Sequence, residues 1–224
     1  MLSRFISVFL KTFFKLLYHQ FAWSYDWIAD IVSIGRWKTW VYAVRPYLGE
    51  NMVLELGCGP GHLQAVHPSN NGSMYGLDAS PQMLHQASRN LSKFNRERNL
   101  VLGVAQDLPF RDYSFPIVVS TFPSDYIFDP QTISQIWRVL KDDGQLIILP
   151  SAWITGSNIL DRLASALFAV TGESPKAEGD HLEGKFAQNF EKLIQAGFQV
   201  HHELLEIKDS RVLVIHAFKN RSIG

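Results

Sequence analysis

The chain has a single cysteine, Cys58, among its 224 residues. That excludes an internal disulfide and points to a reducing, cytoplasmic compartment. Neither sign of charge is in excess, with 21 basic residues against 21 acidic ones. The basic footprint of a nucleic-acid binder is therefore missing, and no nucleic-acid partner is expected. No apolar run is long and uninterrupted enough to span a bilayer. Histidines are present, but no Cys/His spacing suits a metal, so none is expected. Internal repeats and low-complexity tracts are lacking too, which leaves one domain with a substantial core and room for a small cap.

Acid is missing from the start of the chain, where none precedes Asp26. Residues 1–18 are dominated by Phe5, Ile6, Val8, Phe9, Leu10, Phe13, Phe14, Leu16 and Leu17, interrupted by Arg4, Lys11 and Lys15. Lys11 and Lys15 stand one helical turn apart. Lys11 cuts the apolar stretch and no small-x-small site follows, which argues against a signal peptide. Two readings stay open. One is a basic amphipathic helix lying peripherally on the inner face of a membrane. The other is a helix that caps the domain or buries its face in a dimer. Phe21, Trp23, Tyr25, Trp27, Trp37, Trp40, Tyr42 and Tyr47 follow and suit a helical cap over residues 1–48.

What is present, and organises the rest, is residues 53–61, Val-Leu-Glu-Leu-Gly-Cys-Gly-Pro-Gly. A short apolar run before glycines reads as a buried parallel strand. Gly57, Gly59 and Gly61 allow unusual dihedrals and close approach of a ligand to the backbone. A helix starting near Gly61 would turn its free N–H groups toward the same place. Glu55 sits at the strand end, where a bare carboxylate is costly without a donor. Cys58 lies in the turn with no obvious partner and reads as a small residue facing inward. Met74 to Leu77 form a second apolar run, and Asp78 ends it about twenty residues past the first glycine, where ribose hydroxyls are met in a doubly wound sheet. A dinucleotide fingerprint wants glycine at the sixth place from Gly57, but His62 stands there.

Glu55-x-Gly57-x-Gly59-x-Gly61 resembles the first motif of class I S-adenosylmethionine-dependent methyltransferases, in particular their small-molecule and quinone-type members. Leu77-Asp78-Ala79-Ser80-Pro81-Gln82-Met83-Leu84 resembles the second motif, and Asp107-Leu108-Pro109-Phe110 the third. Arg138-Val139-Leu140-Lys141-Asp142-Asp143-Gly144-Gln145-Leu146 resembles the segment entering the fifth strand. The resemblance implies a Rossmann-like α/β fold: a doubly wound, seven-stranded, mostly parallel sheet with a closing antiparallel hairpin and a helical N-terminal cap. It implies S-adenosyl-L-methionine as cofactor and a small-molecule acceptor. Its cofactor residues would be Tyr25, Glu55, Gly57, Cys58, Gly59, Gly61, Asp78, Ala79, Met83, Ala105, Gln106, Asp107, Leu108, Thr121 and Phe122. Many relatives carry an acid where this chain has Val104, and Pro116 replaces another usual acid. The loop after the fourth strand lacks the pattern of amino-group methylating members, which argues against nucleic-acid bases as acceptors. An NAD-dependent oxidoreductase, or a membrane-associated protein that keeps the fold without turnover, are the competing readings.

In the remaining chain the sequence predicts strands at residues 100–104, 117–120 and 145–149, and helices at 62–66, from Pro81, and at 130–140. His67 reads as exposed. Residues 151–170 read as a helical insert, 171–184 as a polar lid loop beside the site, and 185–196 as a helix stopped by Gly197. Residues 198–207 and 212–218 read as the closing hairpin, joined by 208–211. These elements fall within one methyltransferase-like domain, 49–224. Asp125, Tyr126, His62 and His181 are the candidate acid–base groups, and Phe122 and Tyr126 can wall off water and face a sulfonium with their rings.

Overall fold

A computed structural model describes residues 33, 35–67, 73–156 and 180–220, with the backbone alone for 180–185. It begins with helix α1 (Trp37–Val41), a 3-10 turn (Tyr42–Val44) and helix α2 (Arg45–Leu48). The Trp37 N–H donates to Ser33 Oγ at 2.9 Å, and Pro46 presets the first turn of α2. Gly49, at φ 54°, ends it. Trp40, Val41, Val44 and Leu48 pack against Val53, Ile117, Val119, Ile147 and Val214 on one face of the sheet.

The alternation of strands and helices then builds the layered structure. Strand β1 (Val53–Leu56) is buried at every position. Helix α3 (His62–Val66), β2 (Met74–Asp78), α4 (Pro81–Lys93) and β3 (Leu100–Leu102) follow. Strand β4 (Phe115–Thr121), α5 (Pro130–Val139), β5 (Leu140–Ile154), α6 (Asp180–Gln195), β6 (Phe198–Ile207) and β7 (Ser210–Lys219) complete it. The helices start where their caps predict. Ser80 Oγ accepts from the Met83 N–H ahead of Pro81, and Asp129 accepts from the Gln131 N–H at 2.8 Å ahead of Pro130. Lys219, almost fully buried, closes the end of α5 by donating to the Trp137 and Leu140 carbonyls.

The sheet order is β3-β2-β1-β4-β5-β7-β6. Strands β1 to β5 pair in parallel, and β7 runs antiparallel to both β5 and β6. This is the expected seven-stranded, Rossmann-like sheet with its closing hairpin. Strand order reverses between β1 and β4, so their carboxyl ends flank the crevice in which such sheets take ligands.

Several boundaries differ from expectation. Strand β5 runs to Ile154, so residues 151–154 are strand rather than the start of a helical insert. Their antiparallel partners in β7, Leu213 to Ser210, supply the ladder that local pattern does not reveal. Strand β3 stops at Leu102, short of Val104, where β2 itself ends at Asp78; the Gly103 N–H makes the last bond to it, on the Asp78 carbonyl. Helix α6 starts at Asp180, so 180–184 are helical rather than loop; Gly184 costs such a helix only about 1 kcal/mol. The hairpin turn is tighter than expected, with Lys208 and Asp209 as its bend and Ser210 already in β7. His67 is buried, not exposed, with Nε2 3.3 Å from the Asn51 carbonyl, and burial pulls its pKa below the ordinary value. The remaining parts of the helical insert and lid (157–179), the segment 1–18 and Tyr25 lie outside the described residues. Among the described residues, no helix is long and apolar enough to cross a membrane.

Candidate functional site

The three glycines after β1 all adopt left-handed backbone, with φ of 69° at Gly57, 50° at Gly59 and 74° at Gly61. Each answers a different demand. A Cβ at Gly61 would lie 3.1 Å from Ala87 Cβ, so this glycine lets α4 close on the turn. A Cβ at Gly57 would lie 2.6 Å from the Tyr126 hydroxyl. A Cβ at Gly59 would meet nothing within 4 Å, so the backbone there borders open space.

The turn is stitched to the end of β2. The N–H groups of Gly57 and Cys58 both donate to the Leu77 carbonyl, at 2.8 and 3.1 Å. Gly59 N–H donates to Asp78 Oδ2 and Ser80 N–H to Asp78 Oδ1, both at 2.8 Å. One half-buried carboxylate thus holds the glycine turn and the start of the next helix, with further lone pairs on both oxygens. Burial pushes the Asp78 pKa up, and the two N–H donors pull it partly back.

Behind the turn lies a carboxyl with no obvious use in the fold. Glu55 is 2% exposed, and its Oε2 has no hydrogen-bond partner. Burial first, and the Asp78 carboxylate second, raise its pKa well above the ordinary value. Gly76, its register partner on β2, leaves room for Cys58 Sγ and for Gln64, whose Oε1 is also buried without a partner. Burial, together with Glu55 and Asp78, pushes the Cys58 thiol well up, so it is no nucleophile at neutral pH. The sign for stability follows. A group whose pKa is raised by folding stabilises most below its unfolded value and loses that contribution as pH rises. Glu55→Gln therefore flattens the fall in stability on going from about pH 4.5 upward, and the variant gains on the wild type at alkaline pH. Denaturant melts at several pH values check this; parallel curves for the two proteins contradict it.

The carboxyl end of β4 faces the same crevice. Pairing of β1 with β4 stops at Glu55 and Val119, so the Leu56 carbonyl has no ladder partner there. Ser120 Oγ donates to it at 2.7 Å and the Tyr126 hydroxyl at 3.1 Å. Tyr126 also lies 3.1 Å from Ser120 Oγ and belongs to a 3-10 turn (Asp125–Phe128). Thr121 and Phe122 lead into that turn, and Asp125 is exposed at its start.

On the far side of β2, Ala105 and Leu108 are buried, Gln106 is half-buried, and Asp107 and Val104 are exposed. Arg138 fixes this loop by donating to the Leu108 and Phe110 carbonyls at 2.8 and 2.7 Å, while Gln135 accepts from the Leu108 N–H. Met83 is buried on the first turn of α4, and Ala79 is exposed. His181 lies on the first turn of α6. The site therefore brings together Glu55, the glycines, Cys58, Asp78 and Tyr126, whereas the Phe122 ring, expected to face the sulfonium, packs instead on Trp37 because its left-handed backbone turns it toward the cap. Sequence reasoning gave Ser120, Gln64 and Arg138 no role at the site; the signals available were the hydroxyl that ends the apolar run of β4 at Ser120 and the place of Arg138 at the head of the segment entering the fifth strand. Among the described residues, no group of His, Cys, Asp and Glu is placed to hold a metal.

Open space over Gly59, the Asp78 carboxylate at the end of β2 and the buried Glu55 carboxyl are the groups from which a nucleotide-like ligand site could be built. Comparison with known proteins agrees in kind. Residues 53–144 match the methyltransferase domain family. The demethylmenaquinone methyltransferase of Symbiobacterium thermophilum is 30% identical over 151 residues, 63% of this chain and 60% of that protein. The ubiquinone/menaquinone biosynthesis C-methyltransferase of Legionella pneumophila is 29% identical, covering 59% of this chain and 57% of that protein. The chain thus spans less than two thirds of these relatives' length. The crystal structure of a SAM-dependent methyltransferase from Aquifex aeolicus superimposes with a TM-score of 0.56 at 16% identity, over 85% of this chain and 97% of that one.

Proposed function

We propose that this chain, whose residues 53–144 match the methyltransferase domain family, moves a methyl group from S-adenosyl-L-methionine to a small lipophilic acceptor. The observation that supports this reading is the hydrogen bond from the Gly59 N–H to Asp78, which ties the glycine turn, open above Gly59, to the acid proposed to take the ribose. When bound, S-adenosylmethionine supplies an activated methyl on a sulfonium, open to direct in-line displacement. The residues of the chain then bind, align and exclude water. Asp78 takes the ribose hydroxyls on its remaining lone pairs. Glu55 stands buried behind the turn, where the positive end of a bound cofactor would favour its ionised form over the neutral one that burial favours. Ala79, Met83, Ala105, Gln106, Asp107 and Leu108 border the base. Tyr126, beside Gly57, flanks the methyl, with Thr121 at the end of β4 next to it.

Tyr126 already gives its proton to the Leu56 carbonyl, so it suits a positioning role beside the methyl better than that of a base. An acceptor atom that gains the methyl gives up a proton. Asp125 and His181 are the candidates to take it if the acceptor is a hydroxyl. The quinone-pathway names of the relatives favour a flat, apolar acceptor. Methyl-labelled S-adenosylmethionine offered with a panel of quinols, phenols and amines tests the reading. Label in an extractable quinol or phenol is the expected outcome; label in none of them, with the cofactor unconsumed, argues for the non-catalytic alternative.

A lipophilic acceptor also favours the membrane-surface reading of residues 1–18 at the cytoplasmic face. Flotation with anionic vesicles should carry the full chain upward and leave a variant lacking 1–18 behind; equal partitioning ends that reading.

A further inference from the structure

Ser120 is the last buried residue of β4, and its hydroxyl takes part in a small closed network. Ser120 Oγ donates to the Leu56 carbonyl at 2.7 Å and lies 3.1 Å from the Tyr126 hydroxyl, which itself stands 3.1 Å from the same carbonyl. The two bonds to the carbonyl are unequal. Hydroxyl-to-carbonyl bonds settle at about 2.7–2.8 Å. Ser120 has that length and Tyr126 does not. The phenol has one proton to give and divides it between the carbonyl and Ser120 Oγ. Ser120 thus holds the phenol back from a carbonyl that it would otherwise approach. Satisfying that carbonyl does not by itself require Ser120, because Tyr126 reaches it. The place where the phenol is held matters because a Cβ on Gly57 would lie 2.6 Å from its oxygen. The phenol is therefore seated against bare backbone at the first glycine of the turn, while Gly59 borders open space. Phe122 packs on Trp37, which leaves Tyr126 as the ring of this loop that stands on the turn.

We propose that Ser120 is a positioning residue: its hydroxyl sets the Tyr126 phenol over the glycine turn, and through that ring it sets how the site tells a charged sulfonium from a neutral thioether. The proposal rests on the methyl-transfer reading. An aromatic ring attracts a cation through its quadrupole, whereas an uncharged sulfur at the same place gains no such attraction. The attraction depends on where the ring lies. Without the Ser120 hydroxyl the phenol keeps the Leu56 carbonyl as partner and closes on it to the usual length, which moves the ring relative to Gly57. The carbonyl stays satisfied, so what changes first is the place of the ring and not the integrity of the fold.

Calorimetry on the full chain with S-adenosylmethionine and, separately, S-adenosylhomocysteine tests this without any acceptor. Ser120→Ala should weaken S-adenosylmethionine about fivefold and leave S-adenosylhomocysteine within about twofold. Ser120→Cys, close in size and with a weak donor, should fall between Ser120→Ala and the wild type. Tyr126→Phe should shift the ratio of the two affinities at least as far, and adding Ser120→Ala to it should shift the ratio no further, since the serine acts through the phenol. Thermal melts should behave in the opposite way. The double variant leaves the Leu56 carbonyl with neither donor and should melt below what the two single losses add up to. An unchanged ratio in Ser120→Ala overturns the proposal. Equal loss of both ligands does so too, since Ser120 then only supports the fold, as does a further shift when Ser120→Ala is added to Tyr126→Phe. Should Ser120→Ala not fold, Ser120→Cys carries the test, and a wild-type ratio in it overturns the proposal. A wild type that binds neither ligand instead removes the methyl-transfer reading, and this inference with it.

Discussion

Asp78→Ala should weaken S-adenosylhomocysteine binding about 100-fold, measured by calorimetry on the folded variant. A hydrogen bond to a charged group contributes roughly 1.5–3 kcal/mol. Removing the carboxylate would delete the proposed ribose contacts and would free the Gly59 and Ser80 N–H groups that it holds at 2.8 Å. About 3 kcal/mol in all corresponds to about two decades of affinity. Asp78→Asn keeps the shape with a weaker acceptor and should lose roughly tenfold. The pH dependence has a definite sign. Burial raises the Asp78 pKa, so its ionised form is lost at a higher pH than for an ordinary aspartate. Cofactor affinity should therefore fall as pH drops through that raised value, and Asp78→Asn should remove the fall. A variant with undiminished affinity would mean that the carboxylate does not touch the ligand.

Gly57→Ala should lower kcat/KM at least 100-fold and also destabilise the fold. Its φ of 69° costs an alanine about 1–2 kcal/mol. The new Cβ would lie 2.6 Å from the Tyr126 hydroxyl, so the ring shifts and the bond to the Leu56 carbonyl breaks. Ser120 still serves that carbonyl, which limits the total stability loss to about 2–3 kcal/mol. Gly59→Ala is the informative contrast. Its Cβ meets no protein atom within 4 Å, so the stability cost is only that of the left-handed backbone, about 1 kcal/mol. The methyl enters the space reserved for ligand, and cofactor binding should still fail. Thermal melts and ligand titrations on both variants separate the two effects. Equal stability losses with cofactor binding intact in Gly59→Ala would contradict the reading of that space.

The order of local events was legible in the sequence because each has its own short-range cause. An apolar run, alternating glycines, Ser80 before Pro81 and an acid ending the second run locate β1, the turn, α4 and Asp78 without any knowledge of distant contacts. The methyltransferase resemblance added the seven-stranded, mostly parallel sheet with its closing hairpin, which local pattern cannot supply. What stayed hidden depends on partners far along the chain. The extension of β5 to Ile154 is imposed by β7, some sixty residues on. The burial of His67 follows from the Asn51 carbonyl, and the fixed loop at 105–110 follows from Arg138. Tyr126 could be named from its place after β4, but its attachment to Leu56, 70 positions earlier, could not. Phe122 likewise gave no sign in the sequence of the left-handed bend that turns it toward Trp37.

The central claim is that the turn at Gly57, Gly59 and Gly61 and the Asp78 carboxylate form one adenosyl-amino-acid site. Isothermal titration of the full chain with S-adenosylhomocysteine, and separately with NAD, tests it most directly. The expected result is saturable one-to-one binding of S-adenosylhomocysteine, abolished in Gly59→Ala, and no heat with NAD. Binding of NAD without S-adenosylhomocysteine would contradict the claim.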